Sequence, residues 1–256
     1  MTALIDALPA RSGSDVAGNV GAMVQPSMDA EPLEMGEARR ERRDYAELAV
    51  VLGGLAAIVS SGGTLSLFRD TLHYNCSWGA RGEWGEGGTW LCSDGIGYIV
   101  VAVGLGGMSA LLLLVGLFVS TGRPSLLRAV TLVVFASVLL AWIGWWSSFS
   151  ATAYTGPRPP GETGLGLWVE TLGPSLGLCG LGLLIGVAGV AVGRRWALVG
   201  VSIGAFLMIF GTALDFGMGV STLAAAGLLV AGGIQRSALG PARDRPRLGQ
   251  GSDAPF

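Results

Sequence analysis

His73 is the only histidine of the chain, and it opens the stretch HYNCSWGARGEWGEGGTWLCSDGIG, residues 73–97. Two of the three cysteines, Cys76 and Cys92, fall here, with tryptophans every six residues at Trp78, Trp84 and Trp90. Asp70, Glu83, Glu86 and Asp94 surround them. Imidazole, thiol and carboxylate are the donors of zinc sites and of acid–base catalysis. The spacing suits neither. No Cys-x-x-Cys pair is present, so a thiol relay or zinc knuckle is not expected. One histidine with no nucleophile placed beside it makes no catalytic pair. We therefore expect no catalytic residues, no metal and no cofactor.

The remaining chemistry is oxidation and aromatic contact. If the stretch lies outside the cytoplasm, Cys76 and Cys92 are expected to form a disulfide. Closing a loop of about fifteen residues contributes roughly 3 kcal/mol in the chain-entropy view. Cys179 is left over in an apolar run and reads as an inert packing thiol. The loop tryptophans Trp78, Trp84 and Trp90 have two readings, anchorage in a lipid interface or a surface for a partner. Trp142, Trp145, Trp146 and Trp168 fit an interfacial belt.

The elements that carry this loop are apolar. Charged residues make up 13% of the chain and mean hydropathy is +0.58; soluble domains carry about 25% charge. Glycine is 43 of 256 residues, spread through apolar runs, as in closely packed membrane helices. A net charge of −2 argues against a nucleic-acid partner. All sixteen basic residues are arginine, a bias of GC-rich bacterial genomes.

A span needs about 20 apolar residues. Six are expected, at about 47–67, 96–119, 126–147, 165–192, 196–214 and 217–234. The last two come from one run of 196–234, divided at TALDFGMG, where Asp215 and two glycines suit a turn. Segments 1–45 and 236–256 read as disordered tails with arginine clusters, the first without a secretory signal. Residues 68–95 form the outer loop of a 46–235 helical domain.

Thirteen arginines fall on one side of this arrangement and only Arg69, Arg81 and Arg158 on the other. The positive-inside rule then places both termini in the cytoplasm. The fold class expected is all-α, a polytopic membrane protein of six helices in three tandem hairpins. Each even helix starts with Gly-x-Gly and a small residue seven positions on: Gly95, Gly97 and Gly104; Gly164, Gly166 and Gly173; Gly217, Gly219 and Ala226. An acid precedes each, Asp94, Glu162 or Asp215. The fourth helix carries Gly173, Gly177, Gly182, Gly186, Gly189 and Gly193, a small-residue ridge for helix packing. It is expected at the centre of the bundle, kinked near Pro174.

Within the spans the candidate polar site is Glu170, with Asp215 at the turn. No charge reaches the middle of the membrane, so proton-coupled transport has no visible relay. The expected function is a non-catalytic accessory, assembly or sensor subunit of a cell membrane. It would contact lipid throughout and a membrane or envelope partner at the outer loop. The alternative is a small permease with Glu170 lining an outer cavity.

Overall fold

A computed structural model describes residues 31–79, 88–153 and 158–239. The tail segments 1–30 and 240–256, and Arg81, Glu83, Trp84 and Glu86, lie outside them. Six long helices follow in order: α1 (Glu31–Ser66), α2 (Ile99–Ser120), α3 (Leu126–Ala153), α4 (Gly164–Val192), α5 (Arg194–Leu214) and α6 (Gly219–Ser237). All six are long and apolar enough to cross a membrane. Between α1 and α2 the strands β1 (Cys76–Trp78) and β2 (Trp90–Cys92) form a short ribbon. The bundle is all-α as expected, and the ribbon is an addition to it.

The division of the last apolar run is as expected. Asp215 ends α5, its carboxylate accepts from Gly217 N–H at 3.0 Å, and a 3-10 turn, Phe216–Met218, leads into α6. The start of α4 is capped by Thr163, whose hydroxyl accepts from Gly166 N–H at 3.0 Å; the neighbouring acid Glu162 is not the cap. Asp94 contributes only its carbonyl, to Gly97 N–H at 3.0 Å. Of the three acids, one acts as a side-chain cap.

α1 starts at Glu31, so residues 31–45 are helix rather than the end of a disordered tail. Pro32 suits the first turn of a helix. Glu and Arg then dominate the sequence, and Arg43 pairs with Glu47 one turn on at 2.9 Å.

The centre of the bundle is α6, not α4. In its most apolar stretch 83% of residues are buried, against 22–39% in the other five. Every other helix packs on it. The reason is side-chain size. Ala224, Ala225, Ala226, Gly227, Ala231, Gly232 and Gly233 leave all its faces open to neighbours. Its hydropathy is also the lowest of the six, 1.7 against 1.9–2.4. Large apolar side chains sit instead on outward faces, at Ile58, Val59, Phe118, Leu184 and Phe206. A strong hydropathy signal marks the outside of this bundle.

Glycines set the closest contacts. A Cβ at Gly53 of α1 would lie 2.8 Å from Gly227 Cα of α6. On α4 a Cβ at Gly189 would lie 2.8 Å from Gly200 Cα of α5, and one at Gly182 would lie 2.5 Å from Gly204 O. These are backbone-to-backbone crossings that no side chain can enter. Gly186 receives the Leu229 side chain of α6, at 2.6 Å from such a Cβ. Gly177 faces open space, Gly173 meets only Val169 of its own helix, and Gly193 ends α4 at φ 140°. The packing ridge is thus Gly182, Gly186 and Gly189, and α4 continues through Pro174 without a break.

Two apolar clusters divide the interior. One surrounds α6 and includes Leu132, Leu139, Met208, Leu228 and Leu229. The other lies beneath the ribbon and joins Phe68, Leu72, Tyr98, Leu105, Ile143, Leu172 and Met218.

Candidate functional site: the disulfide ribbon and its aromatic stack

The ribbon begins where α1 loosens. Leu67–Thr71 forms a π-helical turn, and Tyr74 N–H donates to Phe68 O at 2.8 Å. His73 and Asn75 then adopt positive φ, 51° and 59°, a region that L-residues other than Asn, Asp and His seldom visit. These two residues turn the chain into β1. Tyr98 at the start of α2 donates its hydroxyl to Tyr74 O at 2.9 Å and ties the turn to the bundle.

β1 and β2 are antiparallel, pairing Cys76 with Cys92, Ser77 with Leu91 and Trp78 with Trp90. Ladder bonds flank them, Ser93 N–H to Asn75 O at 3.1 Å and Gly79 N–H to Thr89 O at 3.0 Å. Cysteine and tryptophan pairs therefore occupy the non-hydrogen-bonded positions, where cross-strand side chains come closest. Cys76 and Cys92 are joined as a disulfide. Asn75 Nδ2 donates to Ser93 Oγ at 2.8 Å beside it.

The alternation of strand side chains sorts the ribbon into two faces. Trp78 and Trp90 share the disulfide's face and are half-buried; Ser77 and Leu91 point away and are exposed. The His73 ring stacks on Trp90, with centroids 4.3 Å apart and planes 10° from parallel. Trp78 meets Trp90 edge-on at 5.3 Å. Gly88 lies under the Trp78 ring, where any side chain would collide with it. Two of the three loop tryptophans thus build a stack against histidine; Trp84 lies outside the described residues.

Between this ribbon and the end of α3 is a crevice of about 530 Å³. Its polar rim is Asn75, Ser77, Ser93 and Ser150, and the disulfide forms part of its wall. Burial lowers the His73 pKa; Arg158 adds to this, and Glu162 and Asp70 oppose it. No cluster of three or more His, Cys, Asp or Glu side chains able to hold a metal occurs among the described residues.

The other candidates are elsewhere. Glu170 is exposed on α4. Asp215 is half-buried at the α5–α6 turn, where burial raises its pKa and the Gly217 hydrogen bond opposes the shift. Cys179 is a free, buried thiol between α4 and α5, 3.6 Å from Met208 O. The belt residues are a packed group. Trp142 donates to Gly104 O at 3.0 Å, Trp168 donates to Ser147 Oγ at 3.0 Å, and only Trp145 is exposed.

The His73–Trp90 stack escaped the sequence reading, though a signal existed. CSW and WLC are mirror images about the loop, the pattern of two paired strands closing on each other. Compared with known protein families, curated proteins and solved structures, the chain matches none.

Proposed function

We propose that this chain is a six-span cell-membrane protein with both termini in the cytoplasm, and that it works as a non-catalytic accessory, assembly or sensor subunit. The outer ribbon is its recognition element. One observation carries this reading: a disulfide-closed ribbon, braced by the His73–Trp90–Trp78 stack, holds Ser77 and Leu91 exposed at the edge of a crevice of mixed polar and apolar lining. A fixed, exposed strand pair lowers the ordering cost of binding a partner. The orientation rests on the arginine bias, with Arg40, Arg42, Arg43, Arg123 and Arg236 on inner segments. Glu170 is exposed on α4, and no observation favours the permease alternative over this reading.

Extraction of the native complex in mild detergent tests the proposal. The expected result is a stoichiometric membrane or envelope partner that is lost with Leu91→Arg. A chain that leaves the membrane alone and moves a solute in liposomes would overturn it.

A further inference from the structure

At the end of the bundle opposite the ribbon, a cavity of about 410 Å³ is lined by Arg40 and Arg43 of α1, Gly122, Arg123 and Pro124 of the α2–α3 connection, and Ala238 and Leu239 after α6. Three arginines line it, and among the described residues no Asp or Glu does. The neighbouring arginines have structural tasks. Arg42 donates to Ser237 O at 3.2 Å and Oγ at 3.3 Å, and Arg236 donates to Val190 O at 3.2 Å, closing the last turns of α6 and α4. Arg43 uses Nε on Glu47 at 2.9 Å. Arg40 and Arg123 make no ion pair among the described residues.

A second observation points the same way. Arg128 packs its guanidinium over Gly122, where any side chain would displace it, and Arg128 Nη1 is buried with no hydrogen-bond partner. Arg128 thus adds a fourth positive charge beside Gly122, which lines the cavity. Among the described residues only Glu47 pairs with any of these arginines, and the positive charges left in excess repel one another. An anion with several acceptor oxygens relieves this repulsion.

We infer that this cavity is a binding site for a phosphate group, held by Arg40, Arg43 and Arg123, with an anionic phospholipid headgroup as its source. Guanidinium forks match phosphate oxygens in geometry and charge. The volume is in the range of small-ligand sites. The inference rests on the proposed orientation, which puts the cavity at the cytoplasmic headgroup level, where basic pockets between helices meet anionic lipid.

The test uses the full chain in neutral detergent and native mass spectrometry with three probes: phosphatidylglycerol, phosphatidylcholine and inorganic phosphate. Phosphatidylglycerol is expected to bind preferentially, and Arg123→Gln to weaken it about fivefold, the effect of one surface basic residue. Arg40→Gln with Arg123→Gln should weaken it about 25-fold on the same scale. Arg69→Gln, at the ribbon end, should leave it unchanged. Arg123 is exposed, so its single variant keeps the test valid if the double variant fails to fold. Binding of inorganic phosphate as tight as that of the lipid supports the site and makes soluble phosphate the source. Equal binding of phosphatidylcholine, or full binding by Arg123→Gln, overturns the inference. Carbonate washing of membranes tests the six-span reading separately: a chain released by it is not integral, whatever the cavity binds.

Discussion

His73 and Trp90 lie ring on ring, 4.3 Å between centroids, and this contact joins the end of α1 to the far strand of the ribbon. It places the only titratable imidazole of the chain inside the structure that presents Leu91.

The stack makes the ribbon sensitive to acid. Burial holds the folded His73 pKa below its ordinary value, so the unfolded loop binds the proton more readily. The contribution of neutral His73 is complete above about pH 6.5, the unfolded value. It is lost as pH falls through the lower folded value. Tryptophan fluorescence followed from pH 8 to 5 should report the loosening. His73→Phe keeps a stacked ring without a proton and should flatten the profile. An unchanged profile in that variant would assign the transition to another group.

Glycine positions on α4 should separate sharply. Gly189→Leu must push α4 from α5 at a crossing with no room, and overpacking of this kind costs about 1–3 kcal/mol. Gly177→Ala enters open space and gains about 0.5–1 kcal/mol of helix preference. Thermal unfolding in detergent should therefore show a fall for the first and no fall for the second. Equal losses would contradict the assignment of the ridge to Gly182, Gly186 and Gly189.

Removing the disulfide should loosen the ribbon and leave the bundle intact. Cys76→Ser forfeits roughly 3 kcal/mol of loop-closure stabilisation and exposes one thiol, Cys92. An impermeant maleimide on intact cells should label the variant and leave the unmutated protein unlabelled. Labelling of the unmutated chain at Cys76 and Cys92 without reductant would disprove the bridge.

The sequence makes some of these features plain and hides others. The count of six long apolar helices and the α5–α6 turn are legible because apolar length and the Asp215 cap are local properties. The disulfide is legible because two cysteines share one loop. The central place of α6 is not, since burial depends on what neighbours require. Hydropathy reports the Ile58, Val59 and Phe118 type of surface, while the buried helix is made of Ala and Gly with Ser221, Thr222 and Gln235 inside it. The same limit hides which glycines of α4 touch α5, because Gly177 and Gly189 look alike until Gly200 is set opposite one of them. The ribbon is legible only in retrospect, from the mirrored CSW and WLC.

The central claim is that the outward ribbon face meets a partner. A photo-crosslinking residue placed at Leu91, 47% exposed on β2, tests it in native membranes. A control at Leu127, 76% exposed near the start of α3, sits at the end of the bundle away from the ribbon. The account predicts one discrete adduct of fixed mass from Leu91, lost when Cys76→Ser releases the ribbon, and no such adduct from Leu127. Lipid adducts alone at Leu91 would contradict it and make the ribbon a membrane anchor.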